Sequence, residues 1–423
     1  MATRSRIPIE ILTIINTFTA DWIGLENLWQ VFPQIKDLFT GDPNRKADPE
    51  AIRLVEAILK DNPIMSHELH RHFRMTMALR QPSLADTSLA VFMDQDYSLS
   101  SMSSSSITCH ALQEMVIIAA NIQRLACVCL ATLLARLREI QPRRWEGELI
   151  SDTNIIRVTG TAPYEPRDAG PPSWIEEYRV YRALWHRQLY FDLLVSVERL
   201  KWPLSDLEHL RSNDMDWIKL PPMAAEEVRS VRECLEGLSR TDRDHCTEPS
   251  VKSNSSDMTL LSNIPNFTQL LWKFDTWSPP FPPRFLNYRA PGIPNDIWGR
   301  GTEMTERNPM AARWRSWQRR SKTHPARHQT CSLQDSRPWR ALGMPIWDLW
   351  RFYGLGLWEA RWPLQPDPGP ILTPNGVEIP KGGNPPIHGE DIGYRFSVFV
   401  EESVRIEFQE KMEKLAEDKS TRG

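Results

Sequence analysis

The distribution of proline constrains this chain more than any other feature. Only six of its 34 prolines, and only Trp22 and Trp29 of its 17 tryptophans, come before residue 141. Proline removes a backbone donor and breaks helix interiors. The first third is therefore expected to be regular helix, and the rest a mixture of helices and long irregular loops. At 423 residues the chain exceeds one ordinary core and predicts more than one unit. The expected fold class is mainly α. It comprises a helical N-terminus, a helical middle and an irregular Trp/Pro-rich C-terminal region with little β.

Local signals place the elements. Asp21 opens a helix carrying Leu25 and Leu28. Asp48, Pro49 and Glu50 form a start signal for a helix with Ile52, Val55 and Leu59 on its buried stripe. Ser66 is the expected cap of a further helix bearing Leu69, Phe73 and Met77. Residues 94–108 read as a Ser-rich connector, and 109–140 as a long apolar helix. Asn121, Gln123 and Arg124 interrupt that helix, so a buried core role is expected rather than a membrane span. Cys127 and Cys129 are read as small buried hydrophobes. The prolines at 142, 163, 166, 171 and 172 suggest a linker over 141–172. Ser173-x-x-Glu176 and Ser205-x-x-Glu208 are capping-box patterns. Tyr394, Phe396 and Val398 alternate as in a strand. The expected domains are 1–45, a helical domain at 46–140, the linker 141–172, and a Trp/Pro-rich region 173–423 with loops at 239–257 and 300–337.

Charge and motif searches narrow the function. Lys and Arg total 51 against 54 Asp and Glu, a net charge of −3, so no global basic excess grips nucleic acid or an acidic membrane. Arg313, Arg315, Arg319, Arg320, Lys322 and Arg327, interleaved with Trp314 and Trp317, form a local basic-aromatic cluster. Such a cluster could stack on and pair with single-stranded nucleic acid or act as a nuclear import signal, but with the acidic total it is read as an exposed loop or a face that pairs with acidic residues elsewhere. His67, His70 and His72 lack the two-His, one-Glu spacing of a zinc helix, and His324, His328 and Cys331 lack a paired-Cys motif. No metal, cofactor or catalytic residue is assigned, and no membrane segment is expected. Six Cys in a chain this long form no disulfide framework, which points to a cytoplasmic or nuclear setting.

Residues 7–39 read IPIEILTIINTFTADWIGLENLWQVFPQIKDLF. Pro8 starts a helix without losing a needed N–H. Ile7, Pro8, Ile11, Leu12 and Ile15 then make an apolar face on a unit too small to bury it alone. This stretch resembles the F-box, with Ile7 where that family usually opens on Leu, and with Pro33 interrupting its end. The order of this start, EEYRVYRALWHRQLYFDL (176–193) and PWRALGMPIWDLWRFYGLGLW (338–358) is similar to large, mostly uncharacterised F-box-like proteins of filamentous fungi. The resemblance implies a non-catalytic adaptor in a ubiquitin ligase complex. Ile7, Pro8, Ile11, Leu12, Ile15, Leu25, Leu28 and Val31 would dock a Skp1-type adaptor protein, while the C-terminal region presents an unknown protein substrate. Two alternatives stay open: an interaction protein whose F-box-like helices are only core, and an enzyme with an unrecognised site in the Trp-rich region.

Overall fold

The computed structural model describes residues 21–42, 45–81, 84–85, 87–97, 107–139, 143–150, 155–212, 220, 222–244, 275–280, 340–348, 351, 355 and 396–397. The elements in chain order are α1 (Trp22–Val31), α2 (Pro33–Phe39), α3 (Pro49–Asp61), a π-turn (Met65–Leu69), α4 (His70–Leu79), α5 (Leu89–Asp94), α6 (Cys109–Arg138), β1 (Arg143–Ile150), β2 (Ile155–Pro163), α7 (Trp174–Arg199), α8 (Leu204–Ser212), α9 (Pro222–Asp244) and β3 (Phe396–Ser397). The fold is mainly α.

Two compact units interleave along the chain. One takes residues 1–131 and 177–282, the other 132–176 and 283–423. This differs from the sequential division expected above. The partners of α7 lie about a hundred residues upstream, and sequence order does not reveal such pairings.

The first unit is built on α7. Beyond Glu177 this helix is buried on nearly every side: Tyr178, Val180, Tyr181, Leu184 and Trp185 are buried, but so are Arg179, His186 and Gln188. A helix buried all round holds a core centre rather than a surface face. Its last turns join Leu79, Phe92, Trp202 and Leu210 in one apolar cluster. The Trp202 indole donates to the Leu84 carbonyl at 2.8 Å, which satisfies its buried N–H.

Several helix starts follow their sequence signals. The Asp48 carboxylate accepts from Glu50 N at 2.9 Å, and Pro49 occupies the first helical position. Ile52, Val55 and Leu59 are buried as their spacing requires. Phe32 is extended because the following Pro33 disfavours the helical region, which separates α1 from α2. Ser66 is not a cap. Asn62 Oδ1 accepts from Ile64 N and Met65 N, and a π-turn follows in which Glu68 has φ 72°. Helix α4 then starts at His70. Ser205 likewise lies inside α8, which begins at Leu204.

The second unit holds the sheet. Within the stretch expected as a linker, β1 and β2 pair antiparallel from Arg143↔Pro163 to Ile150↔Ile155, with a bulge at Glu146/Gly147. The β-branched run Ile155, Ile156, Val158, Thr159 and Thr161 favours strand, and Pro163 closes it. Strand β3 pairs with β1 in the order β2-β1-β3, where Phe396 alternation predicts a strand. Trp347 is fully buried here and donates to the Leu342 carbonyl at 2.7 Å.

The capping box at α7 is half made. Ser173 N donates to Glu176 Oε2 at 2.7 Å, while the Ser173 hydroxyl has no partner among the described residues. Asp348 N and Arg351 occupy the rest of the carboxylate, with Asp348 N donating to Oε1 at 3.0 Å, Arg351 Nε to Oε1 at 2.8 Å and Nη2 to Oε2 at 2.7 Å.

Candidate functional site

Helices α1 and α2 carry the described part of the F-box-like segment. Ile7, Pro8, Ile11, Leu12 and Ile15 lie outside the described residues. The other three candidate docking residues divide. Leu25 is fully buried in the chain's own first unit, Leu28 is half-buried, and Val31 is 68% exposed. Leu25 is thus core in this state and offers no surface to a partner. Val31 is one of four large apolar side chains exposed among the described residues. Isolated exposure of that kind is ordinary. Leu28 and Phe32 are half-buried within one helical turn of Val31.

The inward face of α1 is held by stacking and by polar ties. Trp22 stacks on Phe73 with centroids 5.2 Å apart, and Phe73 meets Trp185 edge-on at 5.8 Å. Trp29 stacks on Phe39 at 5.7 Å, joining α1 to α2. Asp21 caps the helix by accepting from Gly24 N at 3.0 Å. Gln123, on α6, accepts from Trp22 N at 3.1 Å and Ile23 N at 3.3 Å. The first amides of a helix have no partner within it, so this one side chain satisfies two groups that burial would otherwise leave unpaired. Glu26 and Arg124 form an ion pair one turn further along.

Gln123 also faces a segment with no helix or strand of its own. Residues 275–280 lie against α6 and α7, with Trp277 half-buried, Pro279 buried and the remaining four residues exposed. Gln123 Nε2 donates to the Trp277 carbonyl at 3.2 Å. The Trp277 N–H donates to Cys127 Sγ at 3.5 Å, and the Cys127 thiol donates to the Trp277 carbonyl at 3.6 Å. The Trp277 indole donates to Glu177 Oε1 at 2.7 Å. Burial pushes the Cys127 thiol up to about 12, which leaves it a weak nucleophile at neutral pH. Burial also raises the Asp21 carboxyl, against the opposing pull of Gln123 and nearby amides.

A second polar cluster sits where α7, α9 and α4 meet. Glu227 is buried and pairs with Arg182, with the Arg179 Nε 3.9 Å away. Burial opposes the charge on Arg182, but Glu227 outweighs it and holds the guanidinium above its ordinary value. The rings of His72 and His186 lie 6.2 Å apart. Burial pushes His72 down to about 3 and His186 to about 4, with nearby positive charge acting in the same direction. Both imidazoles are therefore neutral at pH 7. A general acid or base works best with a pKa near the operating pH, and these groups are driven the other way.

No group of His, Cys, Asp and Glu among the described residues could hold a metal ion. His67 and Glu68 have non-helical backbone angles, which removes the shared helix face that His67 and His70 would need. The cluster at 313–327, His324, His328 and Cys331 lie outside the described residues. Helix α6 is long and apolar enough to cross a membrane by length and composition, and 67% of its most apolar window is buried inside the chain. Comparison with known proteins finds no match to any family model, curated protein or solved structure.

Sequence reasoning missed the roles of Gln123 and of Cys127. Both sit on an otherwise apolar helix. A lone amide in such a stretch is a usable signal, because a buried amide demands partners.

Proposed function

We propose that this chain is a non-catalytic adaptor whose F-box-like N-terminal segment docks a Skp1-type adaptor protein. The observation that carries the reading is the division of α1. Its inner side is fixed by Trp22, Leu25 and Gln123, while Leu28, Val31 and Phe32 form an apolar edge reaching the surface. A rigidly held helix with an apolar outer edge suits capture by a partner groove, since little freedom is lost on binding. The neutral state of His72, of His186 and of the Cys127 thiol is consistent with a structural rather than chemical role. The C-terminal region would then present a protein substrate for ubiquitination, in the cytoplasm or nucleus.

The burial of Leu25 and Trp22 favours a second reading, in which the F-box-like helices serve only as core of an interaction protein. Binding of the full-length chain to a purified Skp1-type adaptor separates the two. Capture that is lost in a folded Ile11→Asp chain supports docking, and absence of wild-type capture supports the core reading.

A further inference from the structure

The contacts of residues 275–280 form a recognition pattern. Gln123 and Cys127 are four apart on α6, and Glu177 and Tyr181 are four apart on α7. Residues at this spacing share a helix face, so each helix offers two polar groups to the groove between them. The α6 pair engages both the N–H and the C=O of one residue, Trp277. Glu177 reads the indole N–H, and Pro279, two positions on, is buried. Backbone contacts give such a site its grip, and the indole and proline positions give it selectivity.

The present occupant leaves capacity unused. The Tyr181 side chain is 2% exposed and lies close to Cys127, Glu177 and Asp21. Its hydroxyl has no hydrogen-bond partner among the described residues. A buried hydroxyl without a partner is costly, so an occupant bringing an acceptor to it would be bound more tightly. Four of the six residues of the segment are exposed, so it lies on the groove rather than inside the core.

We infer that the groove between Gln123/Cys127 and Glu177/Tyr181 is a docking site for an extended Trp-x-Pro peptide, which residues 275–280 fill from within the chain and which a partner protein's segment of the same pattern displaces. A partner thus gains access only by outcompeting Trp277. The groove uses none of the α1 edge residues Leu28 and Val31, so this inference stands or falls separately from the docking proposal above.

The test uses the full-length chain and a fluorescein-labelled peptide KFDTWSPPFP, which copies residues 273–282. Fluorescence anisotropy is read for the wild type and for Trp277→Ala. The Trp277→Ala chain, its groove vacated, binds the peptide at least ten-fold more tightly than the wild type. Adding Glu177→Gln replaces a charged acceptor by a neutral one and weakens binding about five-fold. A peptide with Ala for Trp does not bind. Circular dichroism monitors folding, and if Trp277→Ala unfolds, the same titration is run on Trp277→Phe, which removes the indole donor but keeps an aromatic ring in place. The inference is overturned if the folded variant fails to bind, if wild type and variant bind equally, or if Glu177→Gln has no effect. It is also overturned if neither Trp277 variant folds, because the segment is then core.

Discussion

Replacing Arg351 by Met isolates a buried charge. In the native chain Arg351 and Glu176 have side chains 2% and 1% exposed. The guanidinium also donates to the Gly170 carbonyl at 3.1 Å and the Pro171 carbonyl at 2.8 Å, and lies 4.8 Å from the centre of the Trp347 ring. Met fills much of the volume but removes every one of these donors. Glu176 keeps only Ser173 N and Asp348 N, at 2.7 and 3.0 Å. Removing one partner of a buried ion pair costs roughly 3–5 kcal/mol, because the remaining charge loses its compensation. The pH dependence carries the sharper test. Burial opposes ionisation of native Glu176, yet Arg351 and the two amides outweigh it and hold the carboxyl below its ordinary 4.5. A depressed carboxyl contributes stability above its unfolded pKa and loses it as pH falls through the folded value. In Arg351→Met only the two amides still oppose burial, which now raises the carboxyl, so protonation favours the folded state. Urea unfolding followed by far-UV circular dichroism should therefore show the penalty shrinking between pH 7 and pH 5. Glu176→Gln in the same background should recover part of the loss. A penalty under about 1 kcal/mol at pH 7, or one that grows toward pH 5, refutes the reasoning.

Other perturbations follow from single residues. Gly343 has φ 72°, and a Cβ there would meet Trp347 Nε1 at 2.9 Å and Leu133 Cδ1 at 3.2 Å. Gly343→Ala should cost about 1–3 kcal/mol in the same assay, through left-handed strain and overpacking. Gln123→Leu strips the acceptor from two buried amides and should cost about 2–4 kcal/mol, with amide exchange at Trp22 and Ile23 accelerated. His72 and His186 have lowered folded pKa values, so the stability tied to their neutral forms is present above the unfolded value of 6.5 and is lost as pH falls toward 4. His72→Phe should flatten the acid side of the stability profile, as read by thermal melts from pH 7 to pH 4.

What could be read in advance follows the range of the interaction. The start of α3 was legible because Asp48, Pro49 and Glu50 act within one turn. The π-turn was not, because Asn62 rather than Ser66 satisfies the local amides and Glu68 lies in the left-handed region. The pairing of β1 with β2 was hidden by its flanking prolines, which punctuate strands as readily as they make linkers. Glu176 shows the limit most clearly. The capping pattern marks it correctly as the start of α7, yet its main partner is Arg351, which lies 175 residues away. In the candidate site, Asp21 was visible as a helix start. The ties from Gln123 and Trp277 that fix its surroundings span about a hundred residues or more, and no local pattern announces them.

The most direct measurement is the affinity of a purified Skp1-type adaptor for the wild-type chain and for Val31→Asp. Val31 is 68% exposed, so the substitution should change folding stability by no more than about 0.5 kcal/mol. Placed against an apolar groove, the same carboxylate should cost roughly 2–4 kcal/mol of binding. The account predicts measurable wild-type binding by calorimetry and a loss of at least thirty-fold (about 2 kcal/mol) in a variant whose melting temperature is unchanged. No wild-type binding, or equal binding by the two chains, would contradict it.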